Sequence, residues 1–314
     1  MSDTLGLMHL TKKLHKTQYP AIDPTNPANS AAGKTVLVTG GASGIGLAIV
    51  RAFAAAGAST IVYLGRRIAI LDETFKQLRE DFPRTTFKTY GVDLKNREAI
   101  ENMFVELRSS GGDVDVLVLN AAYTEQGLAA CAYSPEEMRQ SFDTNVLGNM
   151  NVVRGFLGRA ADTSRVKRSR TIISEGRGGG DEVPVETSDK VIIDVSTASA
   201  YLTIPLNAIY GASKAAFTHM MQHVQLENPA VRVHSFNPGI VFTEGMAQAG
   251  FAQDHGYEWD DASLSGGFAV WLASPAAAFL SGRFVFANWD VEEMIEMKDR
   301  FQSDERLCRI LLNI

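Results

Sequence analysis

Tyr210-Gly211-Ala212-Ser213-Lys214 sets a phenol and an ammonium four residues apart. On a helix that spacing is one turn on a single face. An ammonium placed there lowers the pKa of a phenol from near ~10, and a phenol so tuned can trade a proton with a substrate oxygen. Far upstream, Thr39-Gly40-Gly41-Ala42-Ser43-Gly44-Ile45-Gly46 joins a short apolar, β-branched run to a stretch of helical composition. Glycines in that setting let the chain turn tightly and let the backbone approach a pyrophosphate. They also aim the free N–H groups and positive end of a helix at the anion.

The next strand end carries the discrimination between dinucleotides. An acid there accepts a hydrogen bond from the ribose 2'-hydroxyl, whereas a cation accommodates a 2'-phosphate. The chain reads Leu64-Gly65-Arg66-Arg67, with no acid. A guanidinium holds a phosphate through two hydrogen bonds, so Arg66 favours NADP(H) over NAD(H). Inside the glycine turn, where a further basic residue would strengthen that preference, stands Ser43.

These groups need a frame. Short, nearly apolar runs at 35–39, 61–64, 86–92, 114–119, 191–195, 231–236 and 283–286 alternate with helical stretches. Strands apolar throughout are those of a parallel sheet covered on both faces, which predicts an α/β doubly wound (Rossmann) fold over residues 34–290. Residues 1–33, with Pro20, Pro24, Pro27, Asn26, Asn29 and Ser30, read as an arm preceding that domain. Residues 163–189 are polar, charged and glycine-broken, too long for an ordinary connection, and are expected to be a surface insertion whose Arg/Lys cluster is a solvated face. Residues 291–314 form a C-terminal extension, where Met294, Ile295 and Phe301 predict a helix packed on the domain or on a second subunit.

Composition narrows the function classes. Hydrophobic residues are 45% and charged residues 21% of 314, which excludes wholesale disorder. Lys plus Arg number 30 against 36 Asp plus Glu, a net charge of -6 with no run suited to a phosphate backbone, so nucleic acid is not an expected partner. Cys131 and Cys308 have no zinc-site spacing and fit a reducing compartment. His219 and His223 are four apart, but Met220 stands where a zinc protease motif needs Glu, so they are expected to be structural and no metal is predicted. No apolar run is long enough to span a membrane and no secretory block opens the chain, so a cytoplasmic location is expected.

Taken in order, these motifs resemble the short-chain dehydrogenase/reductase family over residues 34–287. TGGASGIG matches its TGxxxGxG turn, placing Gly40, Ser43, Gly44, Ile45 and Gly46 at the cofactor. Asp93-Leu94 resembles its adenine-contacting pair, and Asn120-Ala121-Ala122 its NNAG element, with Ala122 in place of the last glycine. Asn145 falls where the family keeps an asparagine that supports a proton relay to the lysine. Tyr210 and Lys214 match YxxxK, and Pro238-Gly239-Ile240-Val241-Phe242-Thr243 matches PGxxxT, which implies nicotinamide contacts from Pro238, Ile240 and Thr243.

The resemblance implies Tyr210 as proton donor or acceptor, Lys214 as its partner and ribose ligand, and a hydroxyl that fixes the substrate oxygen. Where the family usually has serine, 13 residues before the tyrosine, this chain has Thr197, with Ser199 or Ser196 as alternatives. It further implies a homodimer or homotetramer, and a lid over the substrate at 244–266, where Met246, Phe251, Tyr257 and Trp259 predict a hydrophobic small molecule. The sequence around 20–34 and 287–293 is similar to members from filamentous fungi, many of which serve secondary metabolism. The leading expectation is an NADP(H)-dependent carbonyl reductase or alcohol dehydrogenase. Dehydration, isomerisation or cyclisation on the same fold, and a non-catalytic dinucleotide-binding protein, stand as alternatives.

Overall fold

Both faces of the expected strands must be covered, and they are. In a computed structural model, which describes residues 9–125, 127–158, 189–248, 250–254, 256 and 258–310, the strands are β1 (Thr35–Thr39), β2 (Thr60–Gly65), β3 (Thr86–Gly91), β4 (Val116–Leu119), β5 (Val191–Val195), β6 (Arg232–Asn237) and β7 (Phe284–Phe286). Between and after them run α1 (Gly44–Ala55), α2 (Ile68–Asp81), α3 (Arg97–Ser109), α4 (Pro135–Phe142), α5 (Asn149–Leu157), α6 (Ala208–Glu227), α7 (Glu244–Gln248), α8 (Ala262–Ala273), α9 (Val291–Glu296) and α10 (Lys298–Ser303). The seven strands form one sheet in the order β3-β2-β1-β4-β5-β6-β7, every pair parallel. This is the doubly wound architecture the alternation predicts.

Because side chains alternate along a strand, each strand feeds two cores. Val36 and Val38 join Ile49 and Phe53 of α1 and Phe268 and Trp271 of α8 on one face. Leu37 joins Phe104 of α3, Val152 of α5 and Phe217 of α6 on the other. The residues of α8 are buried on nearly every side, so residues 262–266 belong to the core and not to the lid expected over 244–266.

The arm is not a separate appendage over its described residues. Ile22 is fully buried, the His15 ring stacks on Tyr19 at 3.5 Å, and the Tyr19 hydroxyl accepts from the Val291 N–H at 2.9 Å. His15 N–H donates to the Asn288 carbonyl at 2.8 Å, and its Nε2 lies 2.8 Å from Asp290. Arm and C-terminal extension thus close on each other across one edge of the domain. Met294 and Phe301 of the extension are buried in this chain's own core, whereas Ile295 is exposed. The insertion expected at 163–189 lies outside the described residues except for Asp189. Among the described residues no helix is long and apolar enough to cross a membrane.

Candidate active site

Strand order reverses between β1 and β4, and in open parallel sheets the crevice beyond the carboxyl ends at such a reversal takes the ligand. Thr39, fully buried, holds the two strand ends together. Its Oγ1 accepts from the N–H groups of Asn120 and Ala121, both at 2.9 Å. The Asn120 amide donates back to the carbonyls of Thr39 at 3.0 Å and Gly40 at 3.3 Å.

A Cβ on Gly46 would stand 2.1 Å from the Gly40 carbonyl oxygen, so only glycine lets α1 start this close to the turn. Gly44 has φ +53°, and its Cβ direction meets the Thr243 methyl at 3.2 Å, so the turn and the Pro238–Thr243 segment face each other. The Ser43 side chain makes no capping bond to the start of α1. Turn, exposed helix start and missing side chains together fit a pyrophosphate.

At the end of β2, Arg66 is exposed and makes no hydrogen bond or ion pair among the described residues. Its neighbour Arg67 is occupied, donating to both carboxylate oxygens of Glu244 at 2.7 and 2.8 Å and to Ser43 Oγ at 3.4 Å. After β3, Asp93 accepts from the Lys95 N–H at 2.9 Å. Leu94 is buried, and its carbonyl accepts from the Asn151 amide at 2.9 Å. On the opposite side, Asp260 Oδ2 accepts from the Ile240 N–H at 2.7 Å and from the Asn288 amide at 3.0 Å. Burial pushes the Asp260 carboxyl up against those hydrogen bonds. Ser265 Oγ donates to the Pro238 carbonyl at 2.6 Å.

The catalytic candidates gather where α6 begins. Asn145 is fully buried in a π-helical turn, Asp143–Gly148. Its amide donates to the Tyr123 carbonyl at 2.9 Å and to Ser213 Oγ at 2.9 Å, and Ser213 Oγ donates to the Tyr210 carbonyl at 2.8 Å. Asn145 is therefore coupled to the tyrosine's backbone through Ser213, a residue assigned no role from sequence although it sits inside the Tyr210–Lys214 pentapeptide.

Thr197 caps the short turn Ala198–Ala200, with Oγ1 3.3 Å from both the N–H and the Oγ of Ser199. That turn packs against α6, since a Cβ on Gly211 would come 2.7 Å from the Ser199 carbonyl oxygen. Ser199 Oγ accepts from the Asn207 amide at 2.8 Å. Ser196 is buried and shares a 2.7 Å hydrogen bond with Thr218, which turns it away as an alternative to Thr197.

One expectation needs correction. Lys214 Nζ donates to the Val195 carbonyl at 2.7 Å and lies 3.5 Å from Oδ1 of the fully buried Asp194, so its charge faces an acid. Burial first, then the charges of Asp194 and Glu125, push the Tyr210 phenol up to about 12. The phenol is held neutral, and its hydroxyl has no hydrogen-bond partner among the described residues. Asp194 carried a signal in the sequence: an acid in an otherwise apolar strand buried on both faces requires a partner. It also accepts from Thr218 Oγ1 at 2.8 Å.

His219 and His223 meet edge to face at 5.0 Å, and no group of metal-ligating side chains occurs among the described residues. Phe242 and Trp259 pack edge to face at 5.1 Å over the segment beyond Gly239.

The family model described as short chain dehydrogenase matches residues 34–166 and 185–254. The short chain dehydrogenase/reductase nsrO of Aspergillus novofumigatus is 35% identical over 308 residues, covering 96% of this chain and 95% of its own. The short chain dehydrogenase/reductase AacuD of Aspergillus aculeatus is 34% identical over 312 residues, covering 99% of each. Among solved structures, L-sorbose reductase from Gluconobacter frateurii, complexed with NADPH and L-sorbose, aligns with a TM-score of 0.65 at 24% identity, over 82% of this chain and 96% of that one.

Proposed function

This chain belongs to the short-chain dehydrogenase/reductase family, oxidoreductases that work between CH–OH and C=O with a nicotinamide dinucleotide, and we propose that it reduces a ketone on a hydrophobic small molecule with NADPH, Tyr210 giving the proton. The substrate class we assign is a secondary metabolite, in keeping with relatives from filamentous fungi. The observation that carries this reading is the Tyr210 hydroxyl, neutral and without a hydrogen-bond partner among the described residues, one helical turn from Lys214.

When bound, the cofactor supplies the hydride. Gly40, Ser43, Gly44, Ile45 and Gly46 hold its pyrophosphate, Arg66 its 2'-phosphate, and Asp93 and Leu94 its adenine. Asn120, Ala121, Pro238, Ile240 and Thr243 hold the nicotinamide half. Thr197 donates to the substrate oxygen. Lys214 has three N–H donors, of which two point at Val195 and Asp194, leaving one for the nicotinamide ribose. Asn145, through Ser213, keeps the first turn of α6 in place.

The neutral phenol is the form that a reduction uses. At pH 7 a group pushed up to about 12 is almost wholly protonated, so the proton is in place on Tyr210. The aromatic pair Phe242–Trp259 supports an apolar substrate. Assembly as a homodimer or homotetramer belongs to the same proposal and is read by sedimentation.

The test is single-turnover loss of NADPH fluorescence on challenge with pooled ketones, repeated with Tyr210→Phe. One pool is expected to discharge the signal, and the variant to bind NADPH as before but turn over about 10²- to 10⁴-fold more slowly. Full turnover by Tyr210→Phe would remove the phenol from the mechanism.

A further inference from the structure

Glu125 lies two residues beyond the Tyr123 peptide unit that the Asn145 side chain grips from both ends, accepting from Tyr123 N–H at 2.7 Å and donating to its carbonyl at 2.9 Å. On the other flank, Leu128 N–H donates to the Tyr133 hydroxyl at 2.9 Å. There, too, a Cβ on Gly127 would stand 2.9 Å from the Leu206 carbonyl oxygen. Tyr123 before the acid and Gly127 and Leu128 after it are thus held in place. Glu125 itself is only 6% exposed, yet neither of its carboxyl oxygens has a hydrogen-bond partner among the described residues. Both flanks lead to the start of α6, one through Asn145 and Ser213 to the Tyr210 backbone and the other to Leu206, so the carboxyl lies near the proton donor and not in a remote part of the core.

The other buried acids are satisfied. Asp194 has Thr218 and Lys214, Asp260 has Ile240 and Asn288, and Asp290 has the Glu293 N–H at 2.9 Å together with His15. Leaving a buried carboxyl unpartnered costs free energy. A carboxyl with both oxygens free beside a reacting centre is suited to a donor carried by the substrate. A neutral hydroxyl is cheaper to bring into a water-poor pocket than an ammonium, and a carboxyl oxygen can accept its hydrogen bond.

We propose that Glu125 is a specificity-determining residue that accepts a hydrogen bond from a hydroxyl group on the substrate, so that the preferred substrates are hydroxylated ketones. The proposal rests on the ketone-reductase reading for the identity of the reacting group, but not for the binding it predicts.

Calorimetry in the presence of NADP⁺, where a ketone binds without turnover, compares 6-hydroxy-2-tetralone, 2-tetralone and 6-(aminomethyl)-2-tetralone on the full chain and on Glu125→Gln and Glu125→Leu. The wild-type chain is expected to bind the hydroxyl compound about 10- to 100-fold more tightly than 2-tetralone, the span of one hydrogen bond to a charged group. That ratio falls to near one in Glu125→Leu and to an intermediate value in Glu125→Gln, which keeps one acceptor. Removing an orphaned acid is expected to hold or raise the melting temperature of Glu125→Leu.

A wild-type ratio below about 2, including no detectable binding of either ketone, overturns the assignment. So does a ratio unchanged in the variants, or a preference for the aminomethyl compound. A melting temperature lowered in both variants would make Glu125 a structural acid and overturn it as well. NADPH oxidation is scored separately. A hydroxyl preference without any oxidation sinks the reductase reading and leaves Glu125 in its role, while equal reduction of both neutral ketones does the reverse.

Discussion

Replacing Asp194 by Asn should move the pH dependence of alcohol oxidation toward acid while leaving reduction near neutrality almost unchanged. The phenol of Tyr210 stands at about 12 against an ordinary 10, from burial first, then Asp194, then Glu125. Two pH units correspond to about 2.7 kcal/mol in favour of the neutral form, and because burial is the largest cause, Asp194 accounts for less than half of that. Asn removes its share and also unmasks Lys214, whose ammonium then acts on the phenol in the lowering direction. The two changes add to a fall of about one unit. Oxidation uses the phenolate as base, so at any pH below its titration a one-unit fall raises kcat/KM about tenfold. Reduction uses the neutral phenol, which both proteins hold fully protonated at pH 7. The assay is kcat/KM for alcohol oxidation from pH 6 to 10 in both proteins at saturating NADP⁺, beside the reductive rate at pH 7. The variant leaves a buried ammonium uncompensated, a loss of about 3–5 kcal/mol, softened by the Val195 carbonyl at 2.7 Å, so a lower melting temperature is expected with it. An oxidative profile that stays in place or moves to higher pH in a folded Asp194→Asn protein would refute this account of the phenol.

Arg66→Ala should weaken NADPH about 10- to 100-fold by fluorescence titration and leave NADH unchanged, as the loss of one charge-assisted phosphate contact requires. Equal affinities for the two cofactors in the wild-type chain would show that the 2'-phosphate is not read there. Gly46→Ala should abolish dinucleotide binding, because the new methyl carbon falls 2.1 Å from the Gly40 carbonyl oxygen; measurable retention of NADPH by a folded variant would contradict the fit of the turn. Asp260→Ala deletes the acceptor for Ile240 and Asn288 and should cost about 2 kcal/mol of stability. Asp260→Asn keeps an acceptor and relieves the burial that pushes the carboxyl up, so its melting temperature should hold. For the same reason the wild-type chain loses stability as pH rises from the unfolded aspartate pKa through the higher folded one, and Asp260→Asn should flatten that part of a pH–melting curve.

Local patterns were readable in the sequence because neighbours along the chain create them. The β1 run, the glycine turn and the start of α1 occupy Thr35 to Gly46, and each step is dictated by residue type within a few positions. Tyr210 and Lys214 are one helical turn apart whatever surrounds them. The direction of the Lys214 charge is another matter, since it depends on Asp194 reaching it from β5 across the sheet. Glu125 is a single acid in an unpatterned loop, and its isolation is a property of what fails to surround it. The expected lid overran into α8 because a helix buried all round has no polar face to mark its start.

The contacts that join the two ends were not legible for a related reason, and they bear on the site. Tyr19 meets Val291 and His15 meets Asn288 and Asp290, pairs more than 270 residues apart that no periodicity connects. Asn288 donates at once to the His15 carbonyl at 2.9 Å and to Asp260 at 3.0 Å, and Asp260 holds the Ile240 N–H. The arm therefore braces the segment we assign to the nicotinamide through three consecutive contacts, each between groups at least half withdrawn from water. A change at His15 should be felt at Ile240 before it is felt at Tyr210, because the chain of bonds from the arm ends at the Pro238–Thr243 segment and reaches α6 only through the sheet.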